Sequence, residues 1–127
     1  MVAALETKLA ELGIGLVAVI NCAGVGYTGP AEFFPLDMYR RQWEVNFLGY
    51  VAVTQAVLPL IRRATAVPTS RRGRVVFVGT GGGVMSPAPA LLSAYMASKW
   101  AGEAWMQCFR MEMQLTGKVF IRHWAEP

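Results

Sequence analysis

The sequence predicts an α/β fold, a parallel sheet of about three strands joined by long crossover helices. Two observations carry this. Short apolar runs rich in β-branched residues, at 16–20, 74–78 and 119–124, alternate with helical stretches far longer than a hairpin turn, and strands separated this way must run parallel with right-handed crossovers. In addition, 54% of the 127 residues are hydrophobic and only 16% charged, richer in apolar residues than an ordinary soluble domain and suited to strands covered on both faces. The chain shows no repeat or low-complexity tract, so residues 1–127 are read as a single domain whose large apolar surface expects another subunit or a further piece of the same fold.

In order, residues 2–12 read as a short helix stopped by Gly13. Residues 16–20 form a buried strand by composition, and Gly24, Gly26, Gly29 and Pro30 then make a loop. Asp37 is placed to cap the next helix, with Pro35 just ahead of it. That helix runs over 38–63 with an interruption; its segment 47–61 is apolar on nearly every side, as for a helix buried between a sheet and another layer, and Pro59 should bend or end its last turn. Residues 65–73 are a basic loop, 74–78 a second strand, and Gly79-Thr80-Gly81-Gly82-Gly83 opens a mobile loop running through Pro87 and Pro89. A helix follows over 93–115, then a strand over 119–124. In such sheets chemistry gathers beyond the carboxyl ends of the strands, here 21–24, 79–83 and 125–127.

Several function classes are disfavoured. The net charge of +4 comes from clustered arginines (Arg40-Arg41, Arg62-Arg63, Arg71-Arg72 with Arg74) without interleaved aromatics, so nucleic-acid binding is not expected; cations near helix ends and in loops account for them. Two isolated cysteines, Cys22 and Cys108, make neither a disulfide framework nor a metal site, which points to a reducing, intracellular compartment, the cytoplasm first. His123 has no second ligand in view. The uncharged runs 12–31 and 75–98 carry five and four glycines with prolines, so neither makes a lipid-facing helix, and no transmembrane segment is expected. Glu6 and Lys8 break the N-terminal stretch as a signal peptide.

The chemistry starts at Tyr95 and Lys99, four apart on one face at the start of a helix. A phenol ordinarily titrates near pH ~10, and a nearby ammonium stabilises its phenolate, making a tyrosine usable as an acid/base. The spacing alone is common, since tyrosine and lysine are often mere surface neighbours; its setting is not. Tyr-Met-Ala-Ser-Lys opens a helix after a glycine-rich loop that itself follows a β-branched strand. Asn21-Cys22-Ala23-Gly24 resembles an Asn-Asn-Ala-Gly motif with cysteine for the second asparagine, Val45-Asn46-Phe47-Leu48-Gly49 resembles Val-Asn-x-x-Gly, and Arg72-Gly73-Arg74-Val75-Val76 resembles the approach to a serine-bearing strand. With Ser98-Lys99-Trp100-Ala101-Gly102-Glu103 and Phe109-Arg110-Met111-Glu112, these ordered motifs over nearly the whole chain resemble the short-chain dehydrogenase/reductase family. Leu58-Pro59-Leu60-Ile61 and Glu103-Ala104-Trp105 look most like its retinol, 17-beta-hydroxysteroid and D-beta-hydroxybutyrate dehydrogenase branch.

The resemblance implies a partial Rossmann-type, doubly wound sheet and an oxidoreductase that interconverts an alcohol and a ketone or aldehyde, its substrate an apolar small molecule, with NAD or NADP as hydride carrier. Tyr95 would be the acid/base. Lys99 would assist it and hold the nicotinamide ribose. The backbone carbonyl of Asn46, at a helix break, would hold a relay water, and Asn21, Ala23 and Gly24 would lie against the cofactor and stabilise the central strand. Thr80 stands where the family has its catalytic serine; its hydroxyl can still donate to a substrate oxygen, but its methyl restricts the rotamers, and Ser86 and Ser93, the other candidates, read first as ordinary loop and helix-cap serines.

A dinucleotide site also needs a strand, a glycine-rich turn and a helix N-terminus for the pyrophosphate, and no such unit stands upstream of Leu16. Gly79-Thr80-Gly81 is not that turn, since Val84 breaks the fingerprint. The chain therefore reads as the central and catalytic segment of a domain roughly twice as long, lacking the cofactor-binding half and the substrate segment, and inactive alone. The alternative is a non-catalytic remnant that binds a protein, with homo-oligomer contacts through helices 47–61 and 93–115, which in the family often pack across a dimer. A flavodoxin-like domain with chance motifs is a third reading.

Overall fold

A computed structural model describes residues 2–65, 73–80 and 88–116, and the backbone of 119–124. The first helix, α1 (Val2–Glu11), ends where expected. Gly13 takes φ +63, its N–H reaches the Ala10 carbonyl and that of Ile14 reaches Leu9, a pair of bonds that needs a left-handed residue and so a glycine. No residue of α1 is buried; it rests lightly on the outer helix layer, where Glu6 meets Arg63.

The sheet has three parallel strands in the order β1 (Ala18–Asn21), β2 (Gly73–Val78), β3 (Val119–Trp124). β1 departs from the expected buried strand: it begins at Ala18 rather than Leu16, and Ile20 is 65% exposed. Among the described residues it is the edge strand, with β2 beside it, and only its inward position, Asn21, is buried. β2 is the central strand, and its alternate residues Val75 and Phe77 point into the core.

Between β1 and β2 run α2 (Leu36–Trp43), a π-helical segment (Glu44–Leu48) and α3 (Gly49–Ala64) without a gap. Asp37 does not cap α2. The cap is Pro35, in extended conformation, and Asp37 falls in the first turn, where its charge favours the helix dipole instead; proline fits there because the first helical N–H groups lack partners anyway. Nor does Pro59 end α3, which continues to Ala64. Burial on α3 is confined to one stripe, Tyr50, Thr54, Val57, Leu60 and Ile61, while Ala52, Gln55 and Pro59 are exposed. The helix covers the sheet on one side, and among the described residues α1 alone touches it from outside, near its C-terminal end.

The fourth helix, α4 (Ser93–Thr116), packs beside α2 and the π segment. Met106, Phe109 and Met113 from α4 meet Tyr50, Val57 and Ile61 from α3 over Val75 and Phe77 in one core. Trp105 bridges it, edge-on to Phe77 and stacked on Phe109, contacts worth about 0.5–1.5 kcal/mol each beyond burial.

By length and composition the continuous stretch Leu36–Ala64 is apolar enough to cross a membrane, which was not anticipated. Its inward stripe carries Gln42, Asn46 and Thr54, all fully buried and hydrogen-bonded to neighbouring elements, the arrangement of a core helix.

Candidate active site

The carboxyl ends of β1 and β2 and the first turns of α4 converge on one open cleft of about 470 Å³. Tyr95 and Lys99 reach it from α4, and Cys22, Gly24 and Gly26 from the loop after β1. Two glycines line it closely. A Cβ on Gly26 would lie 3.5 Å from the Tyr95 ring, and one on Gly24 would lie 3.4 Å from Asn46 Oδ1 and 3.6 Å from Lys99 Nζ. Glycine backbone thus lies against Asn46, Lys99 and Tyr95.

The loop is held by the π segment. Asn46, wholly buried, accepts from the Val25 N–H and donates to the Val25 carbonyl, each at 2.8 Å, and donates to Ser98 Oγ at 2.9 Å. Ser98 in turn donates to the Tyr95 carbonyl at 2.7 Å. Gln42 accepts from the Tyr27 N–H at 3.0 Å. On the far wall the Gly29 N–H donates to the carbonyl of Leu91, a residue at φ +66, and Ser93 Oγ lies 2.7 Å from the Tyr39 hydroxyl. Asn21 supports the floor, its amide donating to Thr54 Oγ1 at 3.0 Å.

Lys99 is 8% exposed. Its ammonium donates to the Val78 carbonyl at 3.1 Å and to the Tyr50 hydroxyl at 3.3 Å, and stands 5.8 Å from the centre of the Tyr95 ring. Burial lowers its pKa from 10.5, with Cys22 opposing. Burial likewise pushes the Tyr50 phenol up to about 12, with Cys22 and Tyr95 adding to the shift. Behind the ammonium a cavity of about 10 Å³ is bounded by Asn46, Tyr50, Lys99 and Gly102, the size that admits one water molecule.

The profile of the short chain dehydrogenase family matches residues 1–123. The chain belongs to that family. Among its relatives, the mitochondrial D-beta-hydroxybutyrate dehydrogenase of Bos taurus is 40% identical over 113 residues, covering 89% of this chain and 30% of the relative. Estradiol 17-beta-dehydrogenase 2 of Mus musculus is 38% identical over 104 residues, covering 81% and 25%. A short chain dehydrogenase/reductase of Burkholderia phymatum, solved in complex with NAD, shares the fold with a TM-score of 0.82 at 19% identity, over 98% of this chain and 42% of that one. This short-chain dehydrogenase chain thus spans about 30% of its bovine relative's length, and its parallel sheet is the Rossmann-type arrangement expected.

Of the residues singled out by sequence, Tyr95, Lys99 and Gly24 meet in the cleft, and Asn46 lies directly behind them. Asn21 turns its amide away from the cleft toward α3. Ala23 is exposed, and the cleft is lined by its neighbours Cys22 and Gly24 instead. Thr80 lies two residues past β2, half-buried, and the cleft is lined by Gly79 rather than by Thr80. Ser93 is the first residue of α4 and its hydroxyl is engaged with Tyr39. Ser86 and residues 125–127 lie outside the described residues. Sequence reasoning missed Tyr50, Ser98 and Gln42. For Tyr50 a signal existed, since it stands four residues after Asn46 and so one turn further along the same helix face.

The residues present fit the ribose and nicotinamide end of a dinucleotide. They offer a buried ammonium, a phenol and a stretch of glycine backbone lying at van der Waals distance from both. A glycine-rich turn for the pyrophosphate is not found among the described residues.

Proposed function

We propose that this chain carries the reactive centre of an NAD(P)-dependent oxidoreductase that interconverts an alcohol and a ketone or aldehyde. The observation that carries this reading is the convergence of Tyr95 and Lys99, against glycine backbone, on one open cleft. Lys99 and the Gly24 backbone would hold the ribose end of the cofactor. The chemistry a bound nicotinamide would supply is hydride exchange with the carbonyl carbon of the ketone or aldehyde, or with the carbinol carbon of the alcohol. Tyr95 gives its phenolic proton to the carbonyl oxygen in reduction and accepts the hydroxyl proton in oxidation. Lys99 in its ammonium form stabilises the phenolate that reduction leaves, and the small cavity beside Asn46 offers room for the water that would return the proton. Thr80 would have to turn toward the cleft to donate to the substrate oxygen.

The substrate is read as an apolar small molecule. Next to the cleft, and sharing Gly26 and Thr28 with it, an open pocket of about 520 Å³ is lined by Phe33, Phe34, Pro35 and Met38 without a charged side chain. Of the compounds that the relatives' names suggest, a steroid alcohol matches this pocket and is the first to try, while a hydroxy acid would find no cation there for its carboxylate. Calorimetry of the purified chain with NADH and NADPH, beside turnover assays of Tyr95→Phe, tests the reading. A cofactor-binding protein that loses at least about 100-fold in rate on that change fits an acid/base tyrosine, and an unaffected rate removes it.

A second reading, a non-catalytic module that associates through α3 and α4, is favoured by one observation. Trp100, Ala104, Cys108, Met111 and Leu115 are all exposed and recur every three or four residues, so they form one apolar stripe along α4. The two readings are compatible if a second copy of the chain covers that stripe.

A further inference from the structure

The Lys99 ammonium is held from two sides. The Val78 carbonyl at the end of β2 accepts one N–H at 3.1 Å, and the Tyr50 oxygen on α3 accepts another at 3.3 Å. The Tyr50 hydroxyl also donates to the same Val78 carbonyl at 3.4 Å, so the three groups close a ring of hydrogen bonds. The Tyr50 ring lies under the ammonium as well, with 5.5 Å from nitrogen to centroid. Tyr50 is 4% exposed, and its ring packs 6.0 Å from that of Phe77.

A phenylalanine would fill the same core space, so packing alone does not account for a hydroxyl at this position. A lysine side chain carries four rotatable carbons and about 2 kcal/mol of rotamer entropy, and one carbonyl anchor leaves its ammonium free to pivot. Two anchors set by different elements do not. An ammonium has three N–H groups, and with two engaged the third remains for the cleft.

We propose that Tyr50 is a positioning residue for Lys99, its hydroxyl acting with the Val78 carbonyl to fix the ammonium beside Tyr95. The functional consequence rests on the reading of Tyr95 and Lys99 as the reactive pair, while the positioning itself does not. The titratable groups around Lys99 are Cys22 from the loop after β1, Tyr50 from α3, and Tyr95 and Glu103 from α4; β2 contributes backbone only. Because burial pushes Tyr50 up to about 12, its hydroxyl keeps its proton wherever the cleft is expected to work. It then orients the ammonium without neutralising it.

The chain has only three lysines, Lys8, Lys99 and Lys118, which makes a direct measurement tractable. Full-length protein labelled with 13C at lysine Cε is titrated by NMR, and the Lys99 signal is identified by its loss in Lys99→Arg. In Tyr50→Phe the ring stays while the acceptor goes. The Lys99 midpoint should then fall by about one pH unit, since a hydrogen bond to a charged group favours the charged form, with Lys8 and Lys118 unmoved. An unchanged Lys99 midpoint overturns the proposal. If Tyr50→Phe does not fold by circular dichroism, the unaltered protein is labelled at tyrosine Cζ, and the Tyr50 signal is assigned by elimination of Tyr27, Tyr39 and Tyr95. That signal should inflect at the Lys99 midpoint, and a flat trace there overturns the proposal equally. Normal turnover by Tyr95→Phe would sink the catalytic reading yet leave the midpoint shift in place, so the two ideas fail separately.

Discussion

Asn46 shows how much of the site one side chain can hold. Its amide makes three hydrogen bonds inside the protein, two to Val25 and one to Ser98. Asn46→Ala leaves the N–H and carbonyl of Val25 without these partners, and should cost about 2–3 kcal/mol in urea denaturation, with the loop after β1 losing amide protection first. Tyr50 and Lys99 make a prediction about pH. The Tyr50 phenol is raised from 10.0 to about 12 in the fold, so between those values the folded state holds a proton that the unfolded chain has released. Its contribution is therefore complete below pH 10 and is lost as pH climbs toward 12. Lys99 has the opposite sign. Its pKa is lowered from 10.5, so the unfolded chain binds the extra proton and stability rises with pH from the lowered value up to 10.5. Denaturation midpoints at pH 9, 10 and 11 should fall less steeply at the alkaline end for Tyr50→Phe than for the unaltered protein. At this scale Tyr95, Lys99 and Asn46 were legible because their motifs are local. Thr80 was less legible: the motif puts it just past β2, and in the structure Gly79 rather than Thr80 lines the cleft.

Among the elements, the π segment is the one that sets the site. Its wide turn is closed by the Gly49 N–H on the Glu44 carbonyl, five residues back, and a Cβ on Gly49 would come within 3.1 Å of that same oxygen. Gly102, on the facing turn of α4, has more room: its Cβ would sit 3.9 Å from the Asn46 carbonyl. The same substitution should therefore act in opposite directions. Gly49→Ala pushes backbone against backbone and should destabilise by about 1–2 kcal/mol. Gly102→Ala gains helix propensity, about 0.5–1 kcal/mol, while narrowing the small cavity beside Asn46, so thermal stability should rise as any turnover falls. Equal shifts of the same sign for both variants would refute this account of the turn. The sequence pattern located every described helix and strand to within a few residues and indicated an interruption within 38–63, which the family resemblance placed at Asn46. It could not say that the interruption is a widening rather than a break, because Gly49 reads equally well as a helix breaker. It also overrated Pro59 and Asp37 as boundaries, since the burial of Leu60 and Ile61 carries α3 past the proline.

At the scale of the whole chain the decisive feature is the apolar surface that remains open. Ile14, Val17 and Ile20 are half or more exposed around β1, and on α4 so are Trp100, Met111 and Leu115, the last at 90%. Folded monomers rarely leave large apolar stripes to water, and a net charge of only +4 gives little repulsion between copies. The two surfaces differ in kind. The β1 side combines apolar side chains with a strand edge, which can pair with any extended segment. The α4 stripe is a regular helical face, and a second copy can match it about a two-fold axis because each copy presents the same surface. Sedimentation velocity over a range of concentrations should therefore show reversible association. Met111→Lys, in the middle of the α4 stripe, should weaken it by at least about tenfold, as a charge forced into an apolar contact costs on the order of 1–3 kcal/mol even when partly solvated. Ile20→Lys separates the alternatives: if it abolishes association while Met111→Lys leaves it intact, the strand edge holds the copies together and the α4 stripe has another partner.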